Sequence, residues 1–253
     1  MKVQKSTKTG FYTDEYFKDY IAKQDLSTEK VKRALKNLKK SFVIKSPVCD
    51  LGSSFGLFLK ACEEMGIEAV GIEGCLASVK WANQFTKNKT IPHDLTKKLP
   101  FKDEQFNLVR CNSVIEHLKP KVAEQVIRES FRILKPGGLF VCSCPNYFDF
   151  CERFSEHINL YTPTRLRKIL KNEGFTVKKE HLSFNISLLT PWEKFSDKRK
   201  TGRFRRWVKK HSSLVNIVLA PVWLPVRWVN MYLLNQEFLD IFSGACFFVA
   251  EKK

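Results

Sequence analysis

Three carboxylates at the ends of short apolar runs, two histidines and one glycine-bearing turn are the residues whose types and places can do chemistry. The turn comes first. Pro47-Val48-Cys49-Asp50-Leu51-Gly52-Ser53-Ser54-Phe55-Gly56 joins an apolar run ending in an acid to a stretch in which Leu57, Phe58, Ala61 and Met65 recur at helical spacing before Gly66. A strand, a tight turn and a helix are expected. Such a turn brings bare backbone and a helix N-terminus to a ligand at the carboxyl end of a strand.

The spacing also narrows the ligand. A dinucleotide fingerprint needs a glycine where Ser54 stands, so that backbone can touch a pyrophosphate, and Asp50 would repel an anion there. An adenosine that is positively charged and carries no phosphate fits better, and S-adenosylmethionine has both a sulfonium and an ammonium. The second apolar run closes on Glu73, where a carboxylate in nucleoside-binding α/β folds accepts the ribose hydroxyls. Asp94 follows Thr90-Ile91 and is placed to accept the adenine amino group while the Leu95 backbone N–H meets a ring nitrogen. Asn112 ends the run Phe106-Asn107-Leu108-Val109-Arg110-Cys111-Asn112 and is counted with the cofactor residues. His117, just past that run, is the candidate general base, a histidine titrating near working pH. His157, before Tyr161-Thr162-Pro163, either faces the acceptor or caps a helix start.

The elements that must position these residues alternate. After the central helix come a strand over 67–73, a helix Ala77 to Phe85, a short strand at Thr90-Ile91 and the strand Phe106–Asn112. A helix Val122 to Leu134 stops at Lys135-Pro136-Gly137-Gly138, followed by a strand Leu139–Cys144, a helix Pro163 to Glu173, a strand 175–180 and a last strand 245–250. Alternation of this kind argues a parallel sheet covered on both faces.

At this point the chain resembles the class I S-adenosylmethionine-dependent methyltransferases, in the small-molecule branch that includes the ubiquinone-biosynthesis O-methyltransferases. The matching residues are Val48-Cys49-Asp50-Leu51-Gly52-Ser53-Ser54-Phe55-Gly56, Gly71-Ile72-Glu73, Phe106-Asn107-Leu108-Val109 with Ile115-Glu116-His117-Leu118, and Leu134-Lys135-Pro136-Gly137-Gly138. The resemblance implies a Rossmann-like, seven-stranded, mostly parallel sheet with helices on both faces and the last strand antiparallel. It carries Asp50, Gly52 and Gly56 to the methionine end of the cofactor, Glu73 to the ribose, and Asp94 with Leu95 to the adenine. Ser53 and Ser54 complete the turn and depart from the family, which usually has cysteine or alanine and then glycine. Some ubiquinone-pathway relatives look to hold a divalent metal through E-x-x-E-H; Ser113 stands in place of the first glutamate, too few hard oxygens remain, and no metal is expected. Strand four does not end in an N-P-P-Y type turn, which counts against a base N-methyltransferase and favours an oxygen acceptor.

Length allows one α/β domain with an insertion. The expected organisation is an N-terminal helical arm or lid over 1–46, a methyltransferase core over 47–183, a basic, tryptophan-rich helical insertion over 184–240 and the last core strand over 241–253. The charge is strongly positive, 44 Lys and Arg against 26 Asp and Glu, so an anionic partner is expected. Residues 194–234 combine Lys194, Lys198, Arg199, Lys200, Arg203, Arg205, Arg206, Lys209 and Lys210 with an apolar run over 214–226 that contains Trp223 and is followed by Arg227 and Trp228. That run is too short and too proline-broken to span a bilayer but suits an anionic membrane surface. The acceptor is then small or lipid-linked. RNA methylation, with the same cations on phosphates, is the runner-up, and a non-catalytic cofactor-binding partner subunit is the reading from a third class. The eight cysteines read as buried small hydrophobes rather than disulfides or metal ligands, and the polar N-terminus as lacking a secretory signal, which together give a cytoplasmic, peripherally membrane-associated protein.

Overall fold

A computed structural model describes residues 26–147, 157–184 and 243–253. The part of the expected N-terminal arm before residue 26 and nearly all of the basic insertion lie outside these residues. Helix α1 (Glu29–Lys39) precedes β1 (Val48–Leu51), α2 (Leu57–Glu64), β2 (Ala69–Glu73), α3 (Leu76–Phe85), β3 (Thr90–Pro92) and β4 (Phe106–Asn112). A 3₁₀ turn (Ile115–His117), α4 (Pro120–Ile133), β5 (Leu134–Pro145), α5 (Pro163–Asn172), β6 (Phe175–Phe184) and β7 (Ser243–Lys252) follow.

The strands form one seven-stranded sheet in the order β3-β2-β1-β4-β5-β7-β6. The first five pair in parallel, and β7 runs antiparallel to both β5 and β6. The expected Rossmann-like sheet with its antiparallel last strand is therefore what the chain forms. The strand order reverses between β1 and β4, and open α/β sheets bind ligands outside the carboxyl ends of the strands at such a switch point.

Burial on both faces explains why β1 is an unbroken apolar run apart from Asp50: all four of its residues are buried. Cys49, Leu51, Val109, Cys111, Phe140 and Cys142 meet α4 and α5 through Ala123, Val126, Ile127, Leu166 and Leu170 on one face. Val48, Leu108, Leu139 and Val141 meet α1 and α2 through Leu35, Leu38, Phe58, Leu59 and Cys62 on the other. The seven cysteines among the described residues are all free, and six of them are buried, as their apolar contexts imply.

The largest differences from the expected boundaries are at β5, β6 and β7. Helix α4 ends at Ile133, and β5 begins at Leu134, taking in Lys135-Pro136-Gly137-Gly138. Leu134 pairs with Phe106 before the register shifts and the ladder resumes at Leu108 and Leu139, so the proline and glycines sit in an irregular strand start rather than a loop. Strands β6 and β7 each reach ten residues because they pair with each other along their lengths, from Phe175 opposite Lys252 to Phe184 opposite Ser243.

Candidate functional site

The bend after β1 is tied to the neighbouring strand. Gly52 N–H and Ser53 N–H both donate to Ile72 O, at 2.8 and 3.0 Å, and Gly56 N–H returns to Ser53 O at 3.0 Å. Gly52 (φ 70°) and Gly56 (φ 82°) lie in the left-handed region. Space demands glycine as well: a Cβ on Gly52 would stand 2.5 Å from Val114 Cγ2, and one on Gly56 3.0 Å from Ala82 Cβ. Ser54 also has positive φ, 49°, a conformation a non-glycine residue adopts at a cost. Its N–H donates to Glu73 Oε2 at 2.9 Å, which holds it there.

Glu73 thus sits on the bend. Its second oxygen, Oε1, accepts the Cys75 N–H at 2.9 Å. Burial raises its pKa from the ordinary carboxylate value, and the backbone N–H groups of Cys75, Ser54 and Gly74 offset part of that rise. Each oxygen has a second lone pair, so the carboxylate can accept hydroxyl donors while keeping the bend folded. Beside it, Pro92 lies opposite Glu73 in the β2–β3 ladder, and His93 N–H donates to Glu73 O at 3.0 Å. Asp94 follows, its Oδ1 closing a turn on the Thr96 N–H at 2.9 Å, and Leu95 packs against the main core. Glu73, Asp94 and Leu95 therefore share one corner of the crevice.

Two other residues assigned to the cofactor point elsewhere. Asp50 is wholly buried, and its Oδ1 takes a hydrogen bond from Arg110 Nη1 at 2.7 Å; the two stand opposite each other on β1 and β4. Arg110 in turn lies over the Phe58 ring at 4.5 Å. Burial pushes the Asp50 carboxyl up and Arg110 pulls it back, so the charge that sequence reading offered to a cationic ligand is answered first by the protein. The Asp50 Oδ2 atom has no hydrogen-bond partner among the described residues. Ser53 is 5% exposed, with its hydroxyl turned into the space beside Gly71, which a Cβ there would bring within 2.5 Å. Arg110, the one charged residue of the central strand Phe106–Asn112, was the available signal for the Asp50 partner, and sequence reading passed over it.

At the tip of β4, Asn112 Oδ1 accepts from Ser143 Oγ on β5, and Asn112 Nδ2 reaches Ser113 Oγ at 3.3 Å. The 3₁₀ turn then buries Ile115 and Glu116 and presents His117. Ile158 and Asn159 both donate their N–H groups to Glu116 O, at 3.0 and 3.1 Å, and this brings His157 to His117. The two rings are 4.8 Å apart, centroid to centroid, tilted by 60°. Burial, and then the neighbouring His157, lower the His117 pKa from 6.5. The alternative left open for His157, capping the next helix, falls instead to Thr162, whose Oγ1 accepts the Arg165 N–H at 3.2 Å. Glu116, His117 and His157 also place one donor atom each within 4.8 Å of one another, a set able to approach a metal ion that the sequence spacing did not assemble.

Comparison with known proteins bears on the fold and on the domain it carries. Residues 49–142 match a family model described as a methyltransferase domain. A Mycolicibacterium smegmatis protein named a probable S-adenosylmethionine-dependent methyltransferase is 28% identical over 132 residues, 50% of each chain. The ubiquinone biosynthesis O-methyltransferase of Ruegeria pomeroyi is 27% identical over 139 residues, 51% of each chain. The match thus spans about half the length of these two relatives. Among solved structures, a SAM-dependent methyltransferase from Archaeoglobus fulgidus superposes with a TM-score of 0.61 at 21% identity, over 89% of this chain and 95% of its own. Residues 49–142 accordingly match a methyltransferase domain, and the chain shares its fold with the Archaeoglobus fulgidus structure.

Proposed function

We propose that this chain is an enzyme that moves the methyl group of S-adenosylmethionine to an oxygen, hydroxyl or carboxyl, of a small or lipid-linked acceptor, working from the cytoplasm at a membrane surface. The observation that carries the reading is the meeting, at one switch point, of a glycine bend capped by Glu73 and an imidazole pair at the next strand tip. When bound, the cofactor supplies a methyl group on a sulfonium, a good leaving group. The protein's task is then to place the acceptor in line and take its proton.

Glu73 receives the ribose hydroxyls, Asp94 and the Leu95 backbone receive the adenine edge, and Gly52, Ser54 and Gly56 bring backbone to the methionine end, with Asn112 beyond them. His117, kept in its neutral form by burial, takes the proton of an acceptor hydroxyl, and His157 faces the same acceptor. The strand tip Asn112-Ser113-Val114 is not an N-P-P-Y type turn, which counts against an exocyclic base nitrogen as acceptor, and the O-methyltransferase named among the relatives supports an oxygen acceptor. The membrane surface is supported by the cationic and tryptophan-bearing sequence of residues 194–234.

The test is incubation of the purified chain with methyl-labelled cofactor and fractionated cell extract, with Glu73→Gln as the control that no longer holds the ribose. Label is expected in a lipid or small-molecule fraction and absent with the control. Label in the RNA fraction would replace the acceptor assignment. Cofactor binding without label in any fraction would make the chain a cofactor-binding partner subunit.

A further inference from the structure

The methyl-transfer reading leaves one surface of the described residues unused. Residues 29–40 hold six lysines and arginines against the single acid Glu29. Helix α1 buries Leu35 and Leu38, and that choice of inner face turns Lys30, Arg33, Lys36 and Lys40 outward, with Lys39 exposed beside them. Lys32 is already engaged, bridging Glu29 at 2.6 Å and Glu64 at 2.9 Å. The other five have no acidic partner within 4.0 Å among the described residues. Like charges three and four residues apart weaken a helix, so this row carries a standing cost that an anionic surface would relieve. Just past the helix, Val43 is 77% exposed, followed by the exposed Lys45.

We infer that the outer face of α1, from Lys30 to Lys45, docks on an anionic phospholipid bilayer. A headgroup plane meets a helix along its whole length, which suits a row of cations better than a point ligand does, and Val43 is an apolar tooth beside them. A polynucleotide is less well matched, because among the described residues the aromatic side chain of this stretch, Phe42, packs against the core instead of standing free for a base to stack on. The inference shares its membrane with the proposed function but assigns the contact to α1, outside the methyl-transfer machinery.

The experiment is co-sedimentation of the full chain with vesicles of phosphatidylcholine, with and without phosphatidylglycerol. The variant is the triple Arg33→Gln, Lys36→Gln, Lys40→Gln, and cofactor binding by calorimetry is measured on both proteins. The parent is expected to bind only the anionic vesicles, and the triple variant to bind them on the order of a hundredfold more weakly, about fivefold for each cation removed. Cofactor affinity should be the same in both, which shows that the variant is folded. A triple variant that partitions like the parent would overturn the α1 contact while leaving the methyl-transfer reading untouched. A parent that binds homopolymeric RNA and neither kind of vesicle would overturn it too. Val43→Ser should weaken partitioning with no charge changed, and an unaltered value there, together with an unaltered triple variant, would place any membrane contact elsewhere in the chain.

Discussion

His117 and His157 come from segments 40 positions apart, and the two N–H groups donated to Glu116 O help bring their rings within 4.8 Å, centroid to centroid. His117 was legible as a candidate from its place just past a strand and His157 from its place before the Thr162-Pro163 helix start; their pairing was not, because it depends on backbone hydrogen bonds that leave no mark in either segment. Glu73 was easier to read, since an acid closing an apolar run at the switch point has few other uses. Arg110, which takes up the Asp50 charge, is a feature of strand register and was missed.

The paired rings make a sharp pH prediction. Burial and His157 both hold the His117 pKa below 6.5, so the ring is a free base at neutral pH and the rate should fall only as pH drops through a value under 6.5. Among the described residues, the ionisable groups grouped with it are His157 and Glu116. Replacing His157 by Asn removes the smaller of the two causes, and the acidic limb of kcat/KM should move up toward 6.5. His117→Asn should cost about 10²- to 10⁴-fold in kcat, the range for a lost general base. Chelator should leave the rate unchanged; a loss restored by zinc would recast the two imidazoles as metal ligands.

At the scale of elements, alternation of apolar runs and helical spacings was enough to give the parallel sheet and its two covered faces. What it could not give was the extent of β5, β6 and β7, whose ends are decided by pairing with strands far away in sequence. The same non-local packing fixes Gly71. It lies mid-strand on β2, and a Cβ there would come within 2.5 Å of Ser53 Oγ and 2.8 Å of Leu59 Cδ1. Strand β2, the bend and α2 thus close on one another at a point with no spare volume. Gly71→Ala should destabilise the domain by about 1–3 kcal/mol, the usual effect of overpacking, and weaken cofactor binding by displacing the bend. Adding Ser53→Ala should recover part of the loss in urea melts, because it removes the nearest contact, Ser53 Oγ, and leaves Leu59 Cδ1 and the residue 53 Cβ, each 2.8 Å away, to shift. A Gly71→Ala protein as stable as the parent would mean that the bend yields freely, contrary to its hydrogen bonds with Ile72.

At the scale of the whole molecule, the chain leaves the sheet at Phe184 and returns at Ser243, and these two residues are opposite each other in the β6–β7 ladder. The sheet therefore closes around residues 185–242 as a hairpin closes around its turn, and the seven strands need only a few residues to join that edge. The sequence between carries ten lysines and arginines against four acids, with Trp223 and Trp228 among its apolar residues, a composition suited to a surface contact rather than to the interior of this sheet. Replacing 185–242 by a short Asn-Gly-containing turn should thus give a protein that still folds cooperatively and binds S-adenosylmethionine with parental affinity, measured by thermal melts and calorimetry. The same protein should lose transfer to a lipid-linked acceptor presented in vesicles. Retained transfer would leave docking to α1 alone, and a protein that no longer bound the cofactor would show that these residues complete the crevice rather than deliver it to a surface.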